Sequence, residues 1–242
     1  MLATWKARPV YHDVFPRSWC TRFPAPRRDS AYSAGAPPMM VCQYDGEPFA
    51  EPRSHPWSGS SRDLNARYYD LSVAPELIRA VLEDFKPFQA HAAVDDFYSL
   101  LERLNHPQSA LESNDCAFSG PQPNQNRQMP GTLECSGRLM ILFRTLQRNT
   151  LDGHMAWLRS SLERELCTLD PRFDAGIIGT TLVPIRYLAL PQDTQLGQQL
   201  MLSFWAFGDS EASVMQALSR LFRNLSRALR GVSASAQTSS DD

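Results

Sequence analysis

Leu139-Met140-Ile141-Leu142-Phe143 is the stretch on which the fold turns. Five consecutive apolar side chains put large groups on both faces of a strand, which marks a central place in a sheet. The strand is expected over residues 137–145. Upstream, residues 111–118 read as a neighbouring strand, joined to it by a polar, Pro/Gln/Asn-rich loop over 120–131. Downstream, Asp152 is expected to cap a helix whose Met155, Leu158, Leu162 and Leu166 share one face. A β-rich run over 176–190, a reversal over 191–197 and a strand over 198–207 follow. Asp209 or Ser210 is expected to cap the last helix, with Val214, Leu218, Leu221, Phe222, Leu225 and Leu229 inward. Gly231 is expected to stop that helix near Arg230.

The order is therefore β-β-α twice over residues 111–231. Leu200-Met201-Leu202-Ser203-Phe204 faintly echoes the opening stretch at an offset of 61 residues. Strings this short match by chance, and the architecture does not depend on a duplication. The expected fold class is α+β: a four-stranded, mostly antiparallel sheet with helices on one face, a stable two-layer solution.

Ahead of the sheet, Ser72 and Pro75 read as a helix start. Leu77, Ile78, Val81, Leu82 and Phe85 fall on one face, and Pro87 is expected to end the run. Val94, Phe97, Tyr98, Leu101 and Leu104 define a second helix, so residues 72–105 read as a helical hairpin. Residues 1–63 differ: they hold nine of the 18 prolines and show no helical or strand period. They are expected to be a flexible Arg/Pro-rich arm, although aromatics such as Trp5, Trp19, Phe49 and Trp57 suit some docking onto the body. The expected organisation is that arm, one α+β domain over 64–232 and a disordered tail over 233–242.

Composition excludes several function classes. The chain has 242 residues with 43% hydrophobic side chains and a formal charge of −2. No run approaches the roughly 18–20 apolar residues of a membrane span. Only Lys6 and Lys86 are lysine among 24 basic residues, which leaves little for Schiff-base or phosphate-loop chemistry. No G-x-G-x-x-G, P-loop, H-E-x-x-H, C-x-x-C or G-x-S-x-G motif is present. The five cysteines and five histidines are widely spaced, so neither a disulfide framework, a metal site nor a cofactor is expected. The cytoplasm is the expected compartment, with an unconventional N-terminal export signal left open.

Three sets of residues are candidates for function. Asp115 and Cys116 close the first strand, and His154, near the start of the following helix, is a conceivable partner for a thiolate. Cys116 and Cys135 also lie symmetrically about the loop midpoint, where antiparallel pairing would set them face to face. Arg220, Arg223, Arg227 and Arg230 form a stripe on the last helix, suited to an acidic partner or a phosphate backbone. Residues 64–242 nevertheless carry 16 basic and 20 acidic side chains. Trp205 and Phe207 share a strand face that two helices do not cover. The hairpin over 74–104, or a second subunit, is expected to meet it.

The function these features favour is a non-enzymatic interaction or assembly protein, working through a protein partner or as a homo-oligomer. An enzyme with a non-local site around Asp115, Cys116 and His154 is the first alternative. Nucleic-acid binding through the arginine stripe is the second.

Overall fold

A computed structural model describes residues 40–43, 53–56, 69–125, 129–170 and 173–238. Its centre is the strand built on the 139–143 stretch. This strand, Leu133–Phe143, pairs antiparallel with Leu111–Pro123 on one side and Leu196–Gly208 on the other. Gly176–Tyr187 continues the sheet antiparallel beside Leu196–Gly208. Two further strands, Met40–Gln43 and Arg53–His55, lie one after the other along the outer edge of Gly176–Tyr187, both parallel to it. Numbered in chain order these are β1 (40–43), β2 (53–55), β3 (111–123), β4 (133–143), β5 (176–187) and β6 (196–208). The order across the sheet is β1-β5-β6-β4-β3, with β2 also on β5.

The α+β class stands, but the sheet is six-stranded and mixed, not four-stranded and antiparallel. The two extra strands come from the expected arm. Segments of four and three residues carry no readable period, and what recruits them is the row of backbone donors and acceptors on β5's edge. Apart from these strands and Pro56, residues 1–63 lie outside the described residues.

The hairpin is also rearranged. Pro75–Leu77 is a 3-10 turn, Ile78–Val81 (α1) a single α-turn, and Glu83–Phe88 a second 3-10 segment containing Pro87. Proline disfavours α geometry at the residue before it, so a continuous helix gives way to tighter turns here. The opening turn is held by Asp70, whose carboxylate accepts from the Ser72 and Val73 amides at 3.0 and 3.3 Å. Ala92–Leu104 (α2) forms as expected, with Val94, Phe97, Tyr98, Leu101 and Leu104 buried.

Asp152–Leu169 (α3) and Glu211–Thr238 (α4) follow β4 and β6. Asp152 sits in the first turn of α3, and no side chain caps that helix. Ser210 does cap α4: its Oγ accepts from the Ser213 amide at 3.2 Å while Ser213 Oγ accepts from the Ser210 amide at 2.9 Å. Gly231 does not end α4, and Ser233 to Thr238 of the expected tail are helical. Val232 and Ala236 are 2% and 0% exposed, so packing carries the helix onward. Residues 239–242 lie outside the described residues.

Alternation along the strands divides the core. Leu139, Ile141, Phe143, Leu200, Leu202, Phe204 and Ile178 join the helices in one large cluster. Phe97 of α2 stacks on Phe85 at 4.5 Å and meets Phe222 of α4 at 4.8 Å, and Phe204 meets Phe222 at 5.0 Å. On the other face Met140, Val183 and Met201 form a second cluster, and Leu142, Ile185, Tyr187 and Leu190 a third. The hairpin packs on the helix side, not over Trp205 and Phe207 as expected.

The sheet is strongly curled. β2 and β3 stand four spacings apart in the strand order, or about 19 Å if flat. Yet His55 Nδ1 of β2 lies 2.9 Å from Asn114 Oδ1 of β3. The two edges therefore approach each other over the face away from the helices. At that end the sheet shelters its second apolar face by its own curvature.

Candidate functional site

The bond between the edges belongs to a buried polar cluster. β3 carries a bulge between Ser113 and Asp115, and the extra residue, Asn114, is re-aimed across the concave face. His55 Nδ1 donates to Asn114 Oδ1, and Asn114 Nδ2 donates to Gln199 Oε1 of β6 at 2.9 Å. His55 Nε2 stands 3.8 Å from Glu112 Oε1, and Arg144 Nη1 3.9 Å from the other oxygen. The His55 ring meets Tyr187 edge-on at 5.7 Å, and the Tyr187 hydroxyl donates to the Gln198 carbonyl at 2.7 Å. His55, Glu112 and Gln199 are 7%, 9% and 1% exposed.

Burial sets the electrostatics of this cluster. It raises the Glu112 carboxyl to about 7, with Arg144 opposing and Asp70 reinforcing. It lowers His55 from its ordinary value, against the Asn114 bond and the Asp70 charge. It also pushes the Tyr187 phenol far up. A carboxyl that titrates near neutrality beside a neutral imidazole is equipped to exchange a proton. The bond network gives the cluster a positional role as well, since it ties β2 across to β3 and β6.

The expected catalytic trio is dispersed. Asp115 points to the concave face, where Arg138 reaches its Oδ2 at 2.9 Å. Cys116 lies on the helix side opposite Leu139, and burial, then the Asp115 charge, push its thiol far up. A nucleophile needs the opposite shift. His154 is edge-on to Phe143 at 6.4 Å, four residues beyond Leu139 on β4, or about 14 Å along the strand. Its Nδ1 is buried without a hydrogen-bond partner among the described residues. Cys116 and Cys135 do not face each other either. The hairpin turns about residue 128, between Pro123 and Leu133, not near residue 125, so Cys116 pairs with Leu139 while Cys135 falls between the partners of Ser119 and Gln122. Among the described residues no group of three or more His, Cys, Asp or Glu could hold a metal ion.

The arginine stripe is divided. Arg220 grips Asp170 through Nε at 2.6 Å and Nη2 at 2.7 Å, and its guanidinium lies 5.1 Å over Phe173. Arg223 stands 4.0 Å from Asp96 of α2. Arg227 and Arg230 are exposed. Arg230 borders a groove of about 580 Å³ between the end of α2, the loop after it and the last turns of α4.

No family model, curated protein or solved structure matches the chain. The functional reading therefore rests on the molecule's own surfaces. The sheet outruns its helices at the β5–β6 turn. There Leu188, in the turn just after β5, and Leu196, at the start of β6 opposite Arg186, are 44% and 59% exposed. Leu151, 52% exposed, opens α3 at the same end, for Asn149 packs its carbonyl against Gly197. At the other end of β6, Phe207 is buried at 2% and Trp205 partly covered. The aromatics expected to offer an interaction surface are thus largely covered, and the bare apolar surface lies at the leucines. Strand alternation marks Leu196 as helix-facing, Leu188 belongs to the turn, and only the lengths of the neighbouring elements leave them bare. His55, Glu112 and Asn114 were missed for a related reason. A polar residue in a strand reads as solvated, and neither the bulge nor the curl is written in the local pattern.

Proposed function

We propose that this chain is a non-enzymatic assembly protein that pairs with a second copy of itself through the open end of the β5–β6 hairpin. The observation that supports it is the gathering of Leu151, Leu188 and Leu196, from two separate parts of the chain, on one uncovered end. Singly scattered exposed leucines are ordinary, whereas a cluster rimmed by charge suits an interface. Arg186 on β5, Asp152 at the start of α3 and Asp193 in the turn are exposed around it. Both signs are present, so a two-fold pairing of this end is able to match Arg186 of one copy with a carboxylate of the other. The alternative around Asp115, Cys116 and His154 has less support, because Asp115 and Cys116 take opposite faces of β3, His154 is distant, and the thiol is held protonated.

Light scattering on the full chain tests the reading. The expected mass is twice 27.3 kDa, falling to the monomer when Leu188→Glu and Leu196→Glu are combined. A wild-type monomer up to the highest soluble concentration, or a dimer indifferent to both changes, overturns it.

A further inference from the structure

The groove between α2 and α4 lies apart from the exposed leucines and has a chemistry of its own. Where α2 begins, the helices are tied together: Ser219 Oγ donates to Asp96, with Arg223 beside it. Toward the end of α2 they part, and the chain turns away into β3. Small side chains, Ser226, Ser233 and Ala234 on α4 and Ser99 on α2, leave the gap unfilled. Its volume of about 580 Å³ falls within the ~300–1,000 Å³ of ligand clefts.

The rim is cationic. Arg103, His106 and Arg230 border the groove and are exposed. Arg103 donates Nη1 to Ser226 Oγ at 2.8 Å, which fixes its guanidinium across the floor. His106 accepts the Gln108 amide on Nδ1 at 3.2 Å, so the neutral ring presents Nε2–H as a donor. Arg230 has no ion-pair partner among the described residues. The one carboxylate on the rim, Glu102, is engaged by Arg79 Nε at 3.0 Å. The walls add hydrogen-bonding side chains, Gln108 and Gln237, while Leu100, Leu104 and Leu229 beneath them are 1%, 3% and 2% exposed.

We infer that this groove docks an acidic segment of a partner protein, its carboxylates meeting Arg103 and Arg230 and its backbone the serine and glutamine walls. Charge complementarity argues for the occupant. A planar guanidinium held by a neighbour is pre-set for bidentate carboxylate binding. Two guanidiniums and an imidazole donor in a cleft of this size suit a short peptide better than a nucleic-acid backbone, whose affinity comes from many phosphate contacts spread along a strand.

Fluorescence anisotropy with a labelled poly-glutamate peptide, against a single-stranded oligonucleotide of equal charge, tests the inference on the full chain at low salt. The peptide is expected to bind. Binding should weaken about tenfold or more in Arg230→Gln, and comparably in Ala234→Trp, which fills the exposed lip without removing charge. Arg220→Gln, outside the groove, should leave it unchanged. The Leu188→Glu/Leu196→Glu chain should bind as wild type does, which separates this inference from the assembly reading. Absence of peptide binding, equal loss in Arg220→Gln, tighter binding of the oligonucleotide, or indifference to Ala234→Trp each overturns it.

Discussion

Burial of Glu112 on the concave face, opposed chiefly by Arg144, raises its carboxyl from 4.5 to about 7. In the unfolded chain the same group loses its proton near 4.5, so between the two values the folded state holds a proton the unfolded state has released. The stability that neutral Glu112 contributes is complete below pH 4.5 and lost as the pH rises to about 7, a ceiling of about 3 kcal/mol. His55 runs the other way: burial lowers its pKa below 6.5, so its contribution is present above that value and lost as the pH falls through the depressed one. Denaturant melts of wild type and Glu112→Gln should separate the two. From about pH 5 to about pH 8 the wild type should lose about 1–3 kcal/mol relative to the variant. Parallel profiles would mean that Glu112 is ionised in the fold. Nothing near Glu112 in the sequence announces this, because the His55 that faces it comes from a strand 57 positions away.

Among the elements, α4 sets a local signal against packing. Its start was legible, since Ser210 and Ser213 exchange bonds within four residues of chain. Its end was not. Glycine stops a helix where the chain turns left-handed, but the only glycine with positive φ among the described residues is Gly131. Beyond Gly231, Ala236 is buried, its carbonyl accepts Arg148 Nη1 at 2.9 Å, and Gln237 donates to the Gln108 carbonyl. Gly231→Ala should therefore stabilise the protein. A Cβ there meets Glu165 Oε2 at 3.6 Å, an ordinary contact. The gain should be about 0.5–1 kcal/mol, or a melting temperature about 1–4 °C higher by calorimetry. A lower melting temperature would place the helix end at Gly231 after all.

For the molecule as a whole, the sheet is completed by residues that carry no pattern. β1 lies beside β5, and Gln43 Nε2 fastens it to Glu163 of α3 at 2.6 Å. Val41 packs against the main core, and β2 brings His55 to the opposite edge. Deleting residues 1–56 should therefore cost at least about 3 kcal/mol, from several ladder bonds and the apolar surface they shelter. Urea unfolding of the shortened chain checks this, and an unchanged midpoint would make both strands dispensable. The four long strands, α2, the helices after β4 and β6, and the inward faces of α2, α3 and α4 are legible in the local pattern. Those follow from periods of 2 and 3.6 acting between near neighbours. β1 and β2, the curl, the bulge at Asn114, the reach of α4 and the uncovered leucines arise only in the assembled fold. Each depends on which distant backbone or side chain supplies the missing partner, and that partner is chosen by the assembled fold.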